Sequence, residues 1–492
     1  MHTRRFGLLF TSLVALTSCP AIADAPAAQI TGPIPAPDVP GAPSHNYIFF
    51  SSNHDLASRG YVEEEFFVRG TADGYNIADK LKDGTPSGNA RPYYTRVVVR
   101  RPADAKHFNG AVVVEWDNVT NNFDAENVWF YDWDHMMRAG YVWVGVSNQT
   151  IGVDALKKWN PKRYGEFDVG KSLPAPGGPD ADAESYDIFS QVGAAIKHPG
   201  SVDMLHGLKP KVILATGESQ GAGRLATYVN SVQNSAKVYD GFLLLSAVGS
   251  AIRNDVAVPV FKLNTEHDVV TGDVLAKQPD TARFRSWDVA GTSHVDRHLR
   301  ENREPMELRD NGLSLEARMA PQCANPQVGT RVPMRFVVAS GFDKLAVWAA
   351  GGKPPPSAPR LDITQVNQRP EQSVVARNSD GLAQGGIQLS EMAVPTQINF
   401  GLGAPADPAA AKAGGEANGA GACVRWGYSV DMTVDQLNAH YSSHADYVAK
   451  VKKVAAQNLK DGYITAYDEA ATVKEAEESR VGRETVKSAS AN

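Results

Sequence analysis

One segment restricts the possible folds most strongly, because it joins a buried strand to a helix through a glycine-rich turn. Lys211 to Thr216 is an apolar run of strand length, and Ala222 to Val232 has the composition of a helix. Between them lies Gly217-Glu218-Ser219-Gln220-Gly221. A strand that passes directly into a helix is typical of a parallel sheet with helices packed on it.

The same alternation continues on both sides of this segment. Helices are predicted from about Asn127 to Arg138 and over Tyr186 to Lys197. Gly110 to Trp116 is a continuous apolar run of strand length, and further strands are predicted over Tyr141 to Val146, Tyr239 to Leu245, Val258 to Leu263 and Phe284 to Val289. Such runs fit strands buried on both faces. We therefore predict an α/β fold with a mostly parallel central sheet flanked by helices.

The strand and helix rhythm is limited to part of the chain, which predicts its division into segments. Residues Tyr47 to Phe50, Tyr61 to Val68 and Tyr94 to Arg100 are β-rich runs that precede it. The predicted segments are a signal peptide (1–23), a flexible Pro- and Ala-rich entry (24–43), a core domain (44–300), an extension of the same domain (301–480) and a polar tail (481–492). Within the core, residues 150–184 interrupt the rhythm and are interpreted as a lid-like insertion.

The glycine-rich turn has the G-x-S-x-G form that serves nucleophilic serines. A sharp strand-to-helix turn raises the serine hydroxyl clear of the sheet, and small residues two positions before and after avoid a clash across it. The pattern alone is weak, but here a buried strand runs into it and a helix runs out. We therefore interpret Ser219 as a nucleophile, against the alternative of an ordinary turn with an idle serine.

A nucleophilic serine needs a base, and the base needs an acid to orient it. In sheets of this kind the chain order is serine, acid, histidine. Asp268 follows the strand that ends at Leu263, and His294 follows the strand that ends at Val289. His294 is predicted as the base and Asp268 as the orienting acid. Glu266 is an alternative acid, because it lies on the same short segment.

The oxyanion that forms on an attacked carbonyl needs backbone N–H donors. The N–H of Gln220, at the start of the helix after the serine, is predicted as the first donor. The second donor is expected from the loop after Trp116, at Asn118 or Asp117. No glycine-rich motif marks this loop.

The first residues have the features of an export signal. A basic stretch, Met1 to Arg5, precedes a short apolar run, Phe6 to Leu16, and Ala21-Ile22-Ala23 resembles a cleavage site. We predict a secreted or periplasmic protein cleaved near Ala23. A lipoprotein anchored through Cys19 is the alternative.

The cysteines agree with export. Cys323 and Cys423 are the two that follow the signal, and in an oxidising compartment they are predicted to form a disulfide rather than to remain free thiols. Neither has a second ligand at close spacing, so no metal site is predicted there.

The overall composition excludes several kinds of partner. The chain of 492 residues has a net charge of -6 and no long basic run, which argues against nucleic acid as a partner. No segment is predicted to cross a membrane. The chemistry proposed for Ser219 requires neither a metal nor an organic cofactor.

Several separate segments together resemble one family, the bacterial secreted α/β-hydrolase-domain proteins of about this length. The resemblance extends from about Asn46 to Glu478. It is carried by Val114 to Trp116 with Asn118 to Thr120, Tyr186 to Gln191, Gly217 to Gly221, Thr265 to Val269, Ala290 to Asp296, Gly385 to Ile387 and Tyr441 to Tyr447. It implies the α/β-hydrolase fold and a Ser–acid–His triad. Two features depart from it: the acidic segment contains both Glu266 and Asp268, and the loop at 402–422 is long.

The sequence therefore predicts a serine hydrolase that cleaves a carboxylic ester, either a small molecule or a polymer, through an acyl-enzyme. A lactone, an amide or a sugar ester remains an alternative substrate. A non-catalytic binding or envelope protein with the same fold is the alternative from another functional class. A complete serine, acid and histidine set in the expected order argues against it, because the fold alone would not preserve that order.

Overall fold

The computed structural model describes most of the chain in five stretches, residues 25–170, 182–325, 328–368, 372–407 and 419–483. The predicted signal peptide, with Cys19 and Ala23, lies outside the described residues. So do the end of the polar tail and parts of the insertion at 150–184 and of the loop at 402–422.

A nine-stranded sheet forms the centre of the molecule, and three two-stranded sheets accompany it. Fifteen strands are present among the described residues: β1 (Gln29–Thr31), β2 (Tyr61–Ala72), β3 (Tyr75–Asn76), β4 (Thr85–Pro86), β5 (Arg91–Pro102), β6 (Ala111–Trp116), β7 (Val142–Val146), β8 (Val212–Glu218), β9 (Gly241–Leu245), β10 (Val260–Thr265), β11 (Phe284–Val289), β12 (Ile363–Gln365), β13 (Val374–Val375), β14 (Gln397–Phe400) and β15 (Tyr428–Asp431). The central order is β1-β2-β5-β7-β6-β8-β9-β10-β11.

The six strands from β7 to β11 in this order are parallel, whereas β1, β2 and β5 pair antiparallel at one side. Val112 of β6 pairs with Val142 of β7 on one side and with Ile213 of β8 on the other. β6, β7 and β9 are largely apolar and are buried along their lengths, because helices cover both faces of the sheet. The predicted mostly parallel sheet is confirmed.

Helices connect and cover these strands. Their bounds are α1 (Asn127–Ala139), α2 (Thr150–Trp159), α3 (Pro161–Tyr164), α4 (Ser185–Lys197), α5 (Gln220–Ser231), α6 (Gln233–Ala236), α7 (Glu266–Thr271), α8 (Arg297–Met306), α9 (Leu315–Met319), α10 (Met334–Ala349), α11 (Ser390–Ala393), α12 (Gly419–Trp426), α13 (Val434–His440), α14 (His444–Asp461) and α15 (Ala466–Glu478). A Cβ at Gly241 would lie 3.2 Å from Leu345 of α10, whereas the ring of the next residue, Phe242, packs 5.9 Å from Tyr228 of α5. Successive residues of a strand point to opposite faces, so α10 and α5 cover opposite faces of the sheet.

The residues after 300 share the hydrophobic core of the sheet. Phe342, Trp348 and Ile387 belong to the same buried cluster as the central strands, and Ile387 forms a parallel bridge with Val289 of β11. This packing supports the proposal that residues 301–480 extend the core domain.

Three predictions about the periphery differ from the structure. Tyr47 to Phe50 form turns instead of a strand: their side chains are buried, but Phe50 has a φ of +58° and its N–H donates to Asp310. Their apolar character therefore reflects burial, not strand pairing. Within the entry predicted to be flexible, Gln29–Thr31 pairs with β2 as an edge strand. The insertion at 150–184 contains the helices α2 and α3.

One bond between two cysteines bears on the predicted export. Cys323 and Cys423 form a disulfide with a Cα–Cα distance of 5.3 Å, as predicted, and it joins the segment after α9 to α12. Throughout the described stretches, every helix is too short or too polar to cross a bilayer.

Candidate active site

Ser219 lies on a strained turn between β8 and α5. Its φ of +55° is unusual for a residue with a side chain, and its N–H donates to Leu245 O at 2.9 Å. A Cβ at Gly217 would lie 2.8 Å from the backbone of Gly221, and a Cβ at Gly221 would lie 2.6 Å from Trp116 O. A side chain at either glycine would therefore clash with the backbone. This is the steric reason for which the G-x-S-x-G pattern has small residues at these two positions.

The structure brings Ser219, His294 and Asp268 together at the carboxyl ends of β8, β11 and β10. His294 Nε2 lies 2.7 Å from Ser219 Oγ, and His294 Nδ1 lies 2.6 Å from Asp268 Oδ1. Because parallel strands end at the same edge, residues that are distant in sequence meet there. In this geometry Nδ1–H donates to the carboxylate, and Nε2 is left to accept the serine proton.

Asp268 is held in place by a capping box at the start of α7. Thr265 N–H donates to Asp268 Oδ2 at 2.8 Å, and Asp268 N–H donates to Thr265 Oγ1 at 3.2 Å. The capping box uses Oδ2 and leaves Oδ1 to His294. The acid is thus fixed within the first turn of α7.

Glu266, the alternative acid, points away from His294. Its carboxylate pairs with Arg377 and accepts hydrogen bonds from Gly291 N–H at 2.9 Å and Gly401 N–H at 3.4 Å. Glu266 therefore joins α7 to the segment after β11 and to the C-terminal part of the chain.

The charges around His294 favour its protonated form. Burial lowers the pKa of His294, but Asp268 and then Glu218 outweigh this effect and raise it above the ordinary value. Burial also opposes ionisation of Asp268, yet His294 and His267 hold the pKa of Asp268 far below its usual range. An ionised Asp268 beside a base of raised pKa suits proton transfer from a hydroxyl.

The two predicted oxyanion donors have different surroundings. Within the described residues, nothing accepts a hydrogen bond from the Gln220 N–H, which begins α5. The N–H of Asn118, in contrast, donates to Ala125 O at 2.9 Å in a small antiparallel bridge. The neighbouring candidate, Asp117, is buried at 4% exposure. The Asn118 prediction therefore has to be corrected, since its N–H is already used inside the loop.

Two side chains to which the sequence prediction gave no role adjoin the site. Glu218, 1% exposed, has its Oε1 at 3.5 Å from His294 Nε2. His267 Nδ1 lies 3.3 Å from the same Asp268 oxygen that contacts His294, and burial lowers the pKa of His267. Glu218 directly precedes Ser219 and His267 directly precedes Asp268, and this adjacency is the feature of the sequence that could have indicated both.

Ser219 and His294 line a cavity of about 860 Å³. Its apolar lining comes from Leu315 and Met319 of α9 and from Ala422, Val424 and Trp426 of α12. Its polar lining includes Asn118, Asn121 and Asn127. The insertion at 150–184, interpreted from the sequence as lid-like, contributes none of its described residues to this lining, whereas the C-terminal extension supplies the apolar residues.

One group of side chains in the described residues has atoms close enough together for a metal ion: His267, Asp268 and His294, within 4.8 Å of one another. Two of the three form the short acid–histidine hydrogen bond, which accounts for their proximity.

The sheet order, the strained serine turn and the cavity at the strand ends define an α/β hydrolase. The family model of the alpha/beta hydrolase domain matches residues 30–474, and the chain belongs to this family. No curated protein matches the chain.

Several solved esterases resemble parts of the chain. Esterase Est22 is 14% identical with a TM-score of 0.27, over 44% of this chain and 67% of its own. Brefeldin A esterase, a bacterial homologue of human hormone sensitive lipase, is 13% identical with a TM-score of 0.23, over 41% of this chain and 45% of its own. A putative acetyl xylan esterase from Bacteroides fragilis is 11% identical with a TM-score of 0.25, over 44% and 62%.

Proposed function

We propose that this protein is a serine hydrolase that cleaves carboxylic esters through an acyl-enzyme. The observation that carries the proposal is the continuous set of contacts from Ser219 Oγ to His294 Nε2 at 2.7 Å and from His294 Nδ1 to Asp268 at 2.6 Å. These contacts give each residue the partner that its role requires.

The reaction has two steps. His294 takes the proton of Ser219 Oγ as this oxygen attacks the ester carbonyl, and the Gln220 N–H donates to the oxyanion. The proton on His294 Nε2 then passes to the alcohol that leaves. In the second step His294 takes a proton from the water that attacks the acyl carbonyl, and it passes this proton to Ser219 Oγ as the acid is released.

Turnover of short p-nitrophenyl esters by the Ser219→Ala variant tests this proposal. We expect wild-type protein to hydrolyse them and Ser219→Ala to lose activity by on the order of 10⁴-fold or more, because no nucleophile remains. Ser231→Ala is the matched control, since Ser231 is buried at the far end of the same helix. Full activity in Ser219→Ala would refute the proposal; absence of any hydrolysis by wild type would favour a binding protein.

We also propose that the protein acts outside the cytoplasm, in the periplasm or the medium. The Cys323–Cys423 disulfide supports this location, because such bonds persist in oxidising compartments. Fractionation of producing cells checks it: the protein is expected in the periplasmic or secreted fraction, and recovery in the cytoplasm alone would contradict it.

A further inference from the structure

Glu218 is a buried acid whose two oxygens have unequal surroundings. Its Oε2 accepts hydrogen bonds from Asn127 Nδ2 at 2.7 Å and from Asn118 Nδ2 at 3.2 Å. Its Oε1 accepts none from any residue in the described stretches, and it is also buried. His294 can carry a positive charge close to this oxygen, since its Nε2 lies 3.5 Å away.

Burial of a carboxylate oxygen without a hydrogen-bond donor costs free energy, so the position of Glu218 Oε1 needs an explanation. The two amide donors on Oε2 favour the ionised form of Glu218, whereas burial raises its pKa. While His294 is neutral, the charge at Oε1 has no close counter-charge. Once His294 accepts a proton at Nε2, a cation forms 3.5 Å from this oxygen.

We propose that Glu218 is a positioning residue for His294, which stabilises the charged imidazolium from the Nε2 side while Asp268 holds it from the Nδ1 side. This inference rests on the proposed function. Glu218 takes no proton: the proton moves from Ser219 Oγ to His294 Nε2 and then to the leaving alcohol. An interaction that is stronger in the charged state than in the resting state lowers the barrier instead of tightening substrate binding.

Other ionisable groups of the described residues lie near this pair. Tyr131 of α1 donates its O–H to His294 O at 3.4 Å and interacts with Glu218. His267 and Asp268 of α7 and Arg425 of α12 act on His294, and Arg303 of α8 acts on Glu218. Arg303 and Arg425 are positive and line the same cavity. Glu218 and Asp268 are therefore the two anions that offset the cation on His294.

The Glu218→Gln variant tests the proposal, because it removes the charge and keeps the size. We expect kcat/KM on a p-nitrophenyl ester to fall by about 10- to 100-fold. The acid limb of its pH profile, where His294 becomes protonated and inactive, should move to lower pH by about one unit, because the removed anion had favoured protonation. The melting temperature should stay the same or rise, since an unpaired buried charge is lost.

Two further variants separate this role from a purely structural one. Glu218→Asp keeps the charge and should keep the acid limb near its wild-type position, with a smaller loss of kcat. Glu266→Gln removes an equally buried acid that contacts Arg377 instead of His294, so its acid limb should not move.

An unmoved acid limb in Glu218→Gln would overturn the proposal, whether kcat/KM stayed near the wild-type value or fell together with the melting temperature. Wild-type turnover by Ser219→Ala is a different result: it would refute the proposed function itself, and the role of Glu218 with it.

Discussion

Two acids on the first turn of α7, two positions apart, have different partners. Asp268 contacts His294, and Glu266 contacts Arg377 and two backbone N–H groups. Both are fully buried, so burial does not distinguish them. Their difference lies in direction, since residues two apart on a helix do not share a face.

This difference predicts that two conservative substitutions affect different properties, one of them catalysis and the other stability. Asp268→Asn should lower kcat by about 10³- to 10⁴-fold, because an amide at this position favours the wrong tautomer of His294. Glu266→Gln should lower the melting temperature more than kcat, because it leaves Arg377 without its buried counter-charge. Steady-state kinetics and thermal unfolding of both variants make the comparison. A larger loss of kcat in Glu266→Gln would identify Glu266 as the acid.

At the scale of single residues, the sequence contained part of the answer about the acid. Thr265 and Asp268 have the spacing of a capping box, which predicts that the Asp268 side chain turns back toward the start of the helix. Nothing in the sequence predicts that Asn118 N–H bonds to Ala125 O, because that bond depends on how the loop folds onto itself. The same holds for the contact between Glu218 and His294.

At the scale of elements, two short helices from the C-terminal extension determine one side of the cavity. Leu315 and Met319 of α9, with Trp426 of α12, give that side an apolar surface. The disulfide between Cys323 and Cys423 joins the segments that carry them. An ester with an extended apolar group therefore has a surface to pack on.

Met319→Ser is expected to change the chain-length preference of the enzyme. Hydrolysis of p-nitrophenyl octanoate should fall by about tenfold in kcat/KM, because a polar side chain replaces an apolar contact. Hydrolysis of the acetate should change by about twofold or less. Val347→Ser, at an exposed position of α10, is the control and should change neither. Equal losses on both esters would show that Met319 does not contact the substrate chain.

The elements themselves were predictable where local pattern and burial agree. The buried parallel strands and α1, α4 and α5 have their predicted identities, because continuous apolar runs and helical spacing are local signals. The prediction of a strand at Tyr47 to Phe50 was wrong, because an apolar run also arises when a loop is buried. The edge strand Gln29–Thr31 was not predicted, because it forms by pairing with β2, which is distant in sequence and leaves no local signal.

At the scale of the whole molecule, the disulfide closes a long section of chain. Cys323 and Cys423 are separated by 100 residues, and this section contains α10 and the strand pair β12 and β13. Closure of a loop of this length restricts the unfolded chain and stabilises the folded one by about 4–5 kcal/mol.

Loss of this bond is therefore expected to lower the melting temperature by several degrees. Differential scanning fluorimetry with and without a reductant measures the change. The double variant Cys323→Ser and Cys423→Ser should melt at the lower temperature under both conditions. Equal melting temperatures for oxidised and reduced wild type would show that the bond adds no stability.

The central claim is that Ser219 is the nucleophile, and covalent labelling with a fluorophosphonate tests it most directly. Such a probe reacts with a serine that an adjacent base activates. Mass spectrometry of the wild-type protein should find one adduct, and peptide mapping should assign it to Ser219. Ser219→Ala should take up none, while Ser231→Ala should label as the wild type does. An unlabelled wild type, or an adduct that persists in Ser219→Ala, would contradict the claim.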